Sequence, residues 1–481
     1  MECQKYQLTN PQKSIYLTEK FYNGTSINNI CGTCIIHSEL NFELLQQAIK
    51  TLIANNDNFK IHFQSKNNII QQFISQPTIP EIEIIDINEL SEVEKIEKTM
   101  QEKVYNIFSN ENLYDFKIYK LPNNHGGFIL NIHHLLADSW TLGLVARTVM
   151  QNYNSLLNGE TPSPEENKFS YLGYIEDENT YLNSEKFVKD NEYWNSIFDT
   201  VPNLASIPTK NNVITNKTDC CALRNTYTIS KEKMDEISSF CKNNNISVFN
   251  FFMSIYSIYI GKVCNTEDFV IGTPILNRGN FAQKQTHGMF ISTLPVRINL
   301  NLDNSFVNFS KEIATNSLSM LRHQKYPYQN ILENLRKKQP DLPNLYNVLL
   351  SYQITKTNTD GFNYETRWAF NNNCADDMQI HILDLNDFGS VNIFYDYKTQ
   401  KFDTTEIDNI HNRILHIIEQ VLNNNSIKLS KIEIITQDEK AIILKQFNNT
   451  KFKYNENTTL IDLFEEACNS SPSKTAIVCN G

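Results

Sequence analysis

The sequence is short of charge and shorter still of clustered base. Only 20% of its 481 residues are Asp, Glu, Lys or Arg, and the formal net charge is -11. No Lys/Arg run is dense enough to form a basic stripe, which excludes general nucleic-acid binding, since phosphate neutralisation requires one. The polar start MECQKYQLTNPQKS lacks the apolar core of a secretory leader. No apolar run is long enough to span a bilayer. The most apolar window, VFNFFMSIYSIYIGKV (248–263), is interrupted by Asn250, Ser254 and Ser257 and reads as a buried helix. Ten cysteines are scattered, and only Cys31 and Cys34 have a suggestive spacing. No second pair completes a zinc site, so both read as small strand residues, and no metal is expected. A cytoplasmic, reduced, monomeric protein, with no membrane and no nucleic acid among its partners, is the expectation.

What is present is apolar surface for more than one core: 40% hydrophobic and 11% aromatic residues in a chain too long for a single layer pair. Strand-like alternation marks FKIHFQ, NIIQQFI, YDFKIYKL and GGFILNIHH. Helical spacing marks NFELLQQAIKTLIANN, SEVEKIEKTMQEKVYNIF and SWTLGLVARTVMQNYNSLLNG, the last closed by Gly159. A looser segment, 160–182, carries Pro162 and Pro164 and reads as a join. The mixture then repeats, from NTYTIS through SKEKMDEISSFCKNNN (Ser230 as cap) to a long amphipathic helix beginning near Asp403. Strands and helices without strict alternation predict an α+β fold. After about residue 430 the character changes: a polar linker precedes LIDLFEEACNSSPSKTAIVCNG, which reads as one helix and one strand.

The chemistry concentrates in FILNIHHLLADSWTLGLV, residues 128–145. Strand parity puts Phe128, Leu130, Ile132 and His134 on one face, and Ile129, Asn131 and His133 on the other. Only one histidine can therefore face a given cavity. Asp138 and Ser139 are both good helix N-caps. Each residue singly has an ordinary structural reading. Together they place a base that titrates near neutral pH beside an acid able to fix the loop.

His133-His134-Leu135-Leu136-Ala137-Asp138-Ser139-Trp140-Thr141 resembles the HHxxxDGWS signature of condensation domains from nonribosomal peptide synthetases, in the chloramphenicol-acetyltransferase-like superfamily. Further stretches resemble the family in its order: LTNPQKSIYLTE, YLGYIEDENTYLNSEKFVKDNEYW, IGTPILNRGN, HGMFISTLPVRI with Gly288, Phe290 and Thr293, HQKYPYQNIL, and LYNVLLSYQ with Ser351. The likeness covers roughly 5–435, and 455–481 resembles the start of an adenylation domain.

The resemblance implies two chloramphenicol-acetyltransferase-like lobes in a V-shaped pseudo-dimer with a central tunnel. It implies an N-terminal lobe (1–175), a C-terminal lobe (176–435), a linker (436–454) and a truncated adenylation start (455–481). The implied function is amide formation between a donor acyl or peptidyl thioester and the amine of an acceptor aminoacyl thioester. The implied partners are donor and acceptor carrier proteins, bringing phosphopantetheine arms (or acyl-CoA as donor), and an adenylation domain downstream in cis. By motif, His134 is the catalytic histidine. His133 is structural, and Asp138 pairs with Arg278. Ser139, Trp140, Gly288, Phe290, Thr293 and Ser351 line the tunnel. The resemblance implies no bound cofactor and no acyl-enzyme.

Three departures stand out. Ser139 replaces the motif glycine, which would be strained if that position needs φ > 0. NNDNFKIHF (55–63) lacks the arginines of the family's RHExLRxxF, and Lys325 replaces an aspartate in HQKYPYQ. The start at Met1 without a preceding carrier favours a starter domain that N-acylates the first residue. The alternatives are an internal-type domain taking a peptidyl donor in trans and a non-catalytic recruitment domain. An epimerisation domain would not lead into an adenylation start, and a heterocyclisation domain has Asp in place of the HH pair.

Overall fold

Gly126–His133, the apolar run ahead of the histidine pair, is the middle strand of a five-stranded sheet. The computed structural model describes residues 4–67, 69–76, 78–162, 169–209, 216, 218–354, 363–384, 389–451, 453 and 457–479. Within them the chain forms two units, Met1–Ile432 and Glu433–Gly481.

The first half of the larger unit runs β1 (Lys5–Gln7), α1 (Asn10–Phe21), β2 (Asn29–Ile36), α2 (Phe42–Asn55), β3 (Ile61–Lys66), β4 (Ile69–Ile74), β5 (Glu83–Asp86), α3 (Ser91–Gln101), β6 (Tyr114–Lys120), β7 (Gly126–His133), α4 (Ser139–Leu157), α5 (Tyr171–Leu182) and α6 (Glu185–Ile197). Its second half runs β8 (Ala222–Ile229), α7 (Lys231–Asn244), α8 (Val248–Cys264), β9 (Asp268–Ile275), α9 (Phe281–Gln285), β10 (Ser292–Asn299), α10 (Phe306–Arg322), α11 (Tyr328–Arg336), β11 (Val348–Ile354), β12 (Tyr364–Ala369), β13 (Met378–Asp384), β14 (Val391–Lys398) and α12 (Thr404–Asn423). The α+β expectation is met by two main sheets, ordered β12-β2-β7-β6-β5 and β10-β9-β11-β13-β14-β8, and a small sheet β1-β4-β3.

Parity in β7 sorts the first core. Phe128, Leu130 and Ile132 join Leu45, Ile49 and Leu52 of α2 and Val145 and Val149 of α4. Ile129 faces the other way, with Cys31 of β2 and Val93 and Met100 of α3. Both faces are buried, which is why this strand reads as a nearly continuous apolar run. Cys31 and Cys34 fall in opposite clusters, and burial drives both thiols far up, so they form neither a redox pair nor a ligand pair. In the second sheet α8 and α12 cover the face of Tyr395, whose hydroxyl meets Tyr256 OH at 2.7 Å and His411 Nδ1 at 3.3 Å.

Four sequence expectations change. Residues 171–182 are a helix, not a loose join, because Ser170 caps it and Tyr171, Tyr174, Ile175 and Tyr181 bury one side; Pro164 lies outside the described residues. The boundary at 175/176 does not separate the sheets. Strand β12 lies late in the chain yet pairs antiparallel with β2, Tyr364 opposite Ile36 through Ala369 opposite Cys31. In the smaller unit, the stretch read as linker carries a short helix, α13 (Gln437–Ala441), with Thr436 and Glu439 forming a capping box. After α14 (Leu460–Ser470), residues 475–478 form no strand. Ile477 and Val478 are exposed, and without a neighbouring strand their backbone has no ladder to join. Among the described residues, no single helix is long and apolar enough to cross a membrane.

Candidate active site

Past His133 the strand's ladder ends, and the backbone groups that follow need other partners. Six of them find one nearby. His134 N donates to Asn28 O (2.7 Å), Leu135 N to His133 Nδ1 (3.1 Å), and Leu136 N to His133 O (2.9 Å). Leu135 O accepts from Gln12 Nε2 (3.0 Å) and Leu136 O from Asn58 Nδ2 (3.3 Å). Ala137 O accepts from the His134 ring at Nδ1 (2.8 Å). A carbonyl oxygen can only accept, so Nδ1 carries the hydrogen and Nε2 keeps its lone pair. Burial holds the His134 imidazole below the usual histidine range, against the opposing pull of the Asp138 carboxylate. His134 is therefore neutral near pH 7, with Nε2 as its free basic atom.

His133 points to the opposite side, buried, with Nε2 3.3 Å from Glu19 Oε2. Asn28 Nδ2 donates to the same Glu19 oxygen at 2.7 Å. Burial raises the Glu19 carboxyl, but the hydrogen bond and charge of His133 and the bond from Asn28 bring it net below its ordinary value. Asn28 thus links this pair to the His134 peptide. Sequence reasoning missed Gln12, Glu19, Asn28 and Asn58, because each is an isolated polar letter in a helix, turn or 3-10 segment. The one available signal was full burial of polar residues, which a sequence does not display.

Asp138 is the N-cap of α4, its Oδ1 accepting from Thr141 N at 2.9 Å. Ser139 is the first helical residue rather than a cap, and it is not among the positive-φ residues. Serine in place of glycine therefore carries no left-handed strain there. Arg278, just after β9, grips Asp138 with both ends of its fork: Nη1 to Oδ2 at 2.7 Å and Nη2 to Oδ1 at 3.1 Å. Both side chains have zero exposure. Phe290 N and Ile291 N also donate to Oδ2, at 2.9 and 3.2 Å. Arg278 further donates to the carbonyls of Gln283 (3.1 Å) and Gly288 (3.3 Å), and its guanidinium lies 4.1 Å from the centre of the Phe290 ring. Burial pushes the Asp138 carboxyl up; Arg278, then the Phe290 and Thr141 amides, hold it net below the usual range. The pair ties the end of β7 to the β9–β10 connection, 140 residues further along the chain.

Gly288 and Phe290 belong to the same cluster. Phe290 is fully buried against Tyr171 and Tyr174, with ring centres at 5.4 and 4.1 Å. A Cβ on Gly288 would sit 2.2 Å from Tyr171 Cδ2. Gly288→Ala is accordingly expected to cost about 1–3 kcal/mol of overpacking. Urea denaturation should show a lower midpoint, and a wild-type midpoint would contradict this packing.

One turn beyond Tyr174, Glu178 receives Asn10 N at 2.9 and 3.1 Å, and burial drives its carboxyl up to about 7. An unfolded glutamate titrates near pH ~4.3. Between those values the native state holds a proton that the unfolded state has lost, so this group's contribution falls as pH rises through that window. Glu178→Gln is expected to flatten the stability–pH profile between pH ~4 and ~7. Denaturation midpoints in that range check it, and parallel profiles for the two proteins would refute it.

The remaining candidates stand outside the Asp138–Arg278 hydrogen-bond cluster. Trp140 is partly exposed, its Nε1 donating to Lys284 O at 2.9 Å. Thr293 lies in β10 opposite Pro274. Ser351 is buried in β11 with its hydroxyl 2.8 Å from His381 Nδ1. In the arginine-poor segment Asp57 accepts from Ser170 Oγ at 2.5 Å, tying the 3-10 segment at 57–60 to α5. Among the described residues no group of three or more His, Cys, Asp or Glu could hold a metal ion.

Comparison with known proteins agrees with this architecture. The Condensation domain family model matches residues 2–444. Surfactin synthase subunit 1 of Bacillus subtilis (strain 168) is 30% identical over 486 residues, and a plipastatin synthase of the same organism 28% over 492. Each match covers 99% of this chain but only 13% and 19% of the relative, so the chain spans under a fifth of these synthetases. The starter condensation domain of rhizomide synthetase, solved as a mutant with C8-CoA, superposes with a TM-score of 0.76 at 18% identity, covering 89% of this chain and 98% of that one. The first condensation domain of the calcium-dependent antibiotic synthetase, with a substrate analogue, gives 0.75 at 13%, covering 90% and 99%. A family match over most of the length, a shared α+β fold and relatives that are peptide synthetases lead to one conclusion: this chain belongs to the condensation domain family of nonribosomal peptide synthetases.

Proposed function

We propose that the larger unit joins a donor acyl thioester to the amine of an acceptor aminoacyl thioester, with His134 at the reaction centre. The observation that carries this is the His134 ring, tethered through Nδ1 to Ala137 O with Nε2 left as a neutral base. An α-amino group titrates near ~7.7–8.0, so much of it is protonated and unreactive at neutral pH. An imidazole within about 3 Å can take that proton, a contribution of roughly 10²–10⁴-fold. As the amine attacks the thioester carbonyl, the C–N bond forms, the C–S bond breaks and the thiolate leaves on the donor arm. His133, Glu19, Asp138 and Arg278 hold the loop and do not enter the bond changes. Phosphopantetheine arms of two carrier proteins, or acyl-CoA on the donor side, would bring the thioesters, and an adenylation domain would follow in cis.

We place the chain with starter domains, which acylate the first amino acid. Likeness to a starter domain solved with C8-CoA and to surfactin and plipastatin synthases supports that reading. A donor competition tests it: equal concentrations of fatty acyl-CoA and a peptidyl carrier are offered with one aminoacyl carrier as acceptor. Fatty acylation at least tenfold over peptidyl transfer is the expected result. The reverse preference would assign an internal-type domain, and binding of the acceptor without any product would assign a recruitment domain.

A further inference from the structure

Three consecutive asparagines, Asn371, Asn372 and Asn373, follow the crossing strand β12. Such a run reads as solvated surface, but here each residue has a fixed task. Asn372 sits in the left-handed region at φ 59°, a conformation that asparagine adopts more readily than most residues. Its carbonyl accepts from Ala222 N at the start of β8 (2.8 Å), and Cys374 N donates to Cys220 O (2.8 Å), so the connection is moored to the six-stranded sheet. Asn373 Nδ2 donates back to Asn371 O at 2.8 Å.

Asn371 reaches the other way, into the turn at 26–29 that leads into β2 and is closed by Asn29 N on Ser26 O at 3.0 Å. Its Nδ2 stands 2.9 Å from Ile27 O, 2.9 Å from Asn29 O and 3.3 Å from Ser26 O. Its Oδ1 accepts from Asn373 N at 3.1 Å. The partners settle which end of the amide is which. A backbone N–H can only donate and a carbonyl oxygen can only accept, so the amino group faces the turn. One carbonyl of the turn stays out of this cluster: Asn28 O accepts instead from His134 N, at 2.7 Å. The His134 loop is therefore held at both ends by the second half of the chain. Arg278 holds Asp138 beyond the histidine, and Asn371, through the turn, holds the peptide of the histidine itself.

We infer that Asn371 is a positioning residue for His134: it fixes the turn at 26–29, and with it Asn28 O and the backbone from which the imidazole projects. The inference rests on the role proposed above for His134. Asn28 has anchors of its own in α1, its Nδ2 donating to Ile15 O (3.4 Å) and Glu19 Oε2 (2.7 Å). Loss of the Asn371 amino group therefore loosens the turn without releasing it.

Two variants of the full chain test it. Asn371→Ser keeps an acceptor for Asn373 N, since serine makes the same kind of turn, but is too short to bring a donor to the three carbonyls. Asn371→Asp keeps the size and the acceptor, and turns an oxygen toward them. Hydrogen exchange followed by fragment mass spectrometry reads the loop without reference to activity. Loss of the bonds from one amino group predicts exchange about tenfold faster at the His134 amide in either variant, with the amides of β6 unchanged. The kcat for amide formation should fall about tenfold, while KM for the acyl donor and for the aminoacyl acceptor each stay within about twofold of wild type. In a His134→Ala background, Asn371→Ser should lower the residual rate less than about twofold, because it acts through that residue. Wild-type exchange at His134, faster exchange spread equally over β6, faster exchange with an unchanged kcat, or a loss that multiplies with His134→Ala each overturns the inference and leaves the condensation reading intact. A wild-type chain that makes no amide overturns both. Should one variant fail to fold, the other decides.

Discussion

His134→Ala is expected to lower amide formation by roughly 10²–10⁴-fold while the protein stays folded. The side chain makes one hydrogen bond, to Ala137 O at the end of its own loop, and is partly accessible. The loop's other anchors remain in the variant: Gln12 on Leu135 O, Asn58 on Leu136 O and Asn28 on the His134 amide. Single-turnover quench with preloaded carriers reads the loss, and thermal melting reads the fold. The pH dependence sharpens the assignment. Burial lowers the His134 pKa, so the base is present above a limb lying below pH ~6.5 and is lost as pH falls through it. His134→Ala should abolish that limb and leave the one set by the substrate's own amine. A variant with near-wild-type turnover would exclude both proton transfer and amine positioning by this residue.

The second large effect falls on stability. Asp138→Asn keeps the side chain's shape but leaves the Arg278 guanidinium buried, facing a neutral amide. Breaking a buried pair in this way costs about 3–5 kcal/mol. The reciprocal change, Arg278→Gln, leaves Asp138 with only its Thr141, Phe290 and Ile291 hydrogen bonds and should cost a similar amount. The double variant should recover part of the loss, because no uncompensated charge remains. Acid sensitivity follows from the depressed Asp138 pKa. This stabilisation is complete above the unfolded carboxyl value near ~3.9 and is lost as pH falls through the lower native one. Urea titration checks all three proteins. Midpoints within error of wild type for the single variants would show that the pair does not hold the β7 loop to the β9–β10 connection.

Much of this was legible in the residues. Alternation in FILNIHH assigned His133 and His134 to opposite sides, and the two core clusters fall on the faces that parity predicts. Turn chemistry was legible too, with Ser230 and Asp403 capping the helices they begin. What stayed hidden depends on long-range pairing. Nothing in YETRWA announces that it leaves the second half of the chain to edge the first sheet, since edge pairing is fixed by the partner's register and not by local pattern. Tyr171–Leu182 read as a join because its preceding prolines and many polar letters outweighed its aromatics, two of which, Tyr171 and Tyr174, find their partner only in the distant Phe290. The strand expected near residue 477 failed for the converse reason: local β-propensity without a neighbouring strand builds no ladder.

The proposed reaction is direct amide transfer, with His134 as base and no covalent intermediate. Intact-protein mass spectrometry of an aminoacyl-loaded acceptor carrier, incubated with acyl thioester and the wild-type chain, tests it most directly. The expected result is an acceptor that gains the mass of the acyl group while the enzyme's mass stays unchanged, with His134→Ala leaving nearly all of the acceptor unmodified over the same interval. An acceptor unchanged by the wild-type chain, or an acyl group found on the enzyme itself, would contradict it.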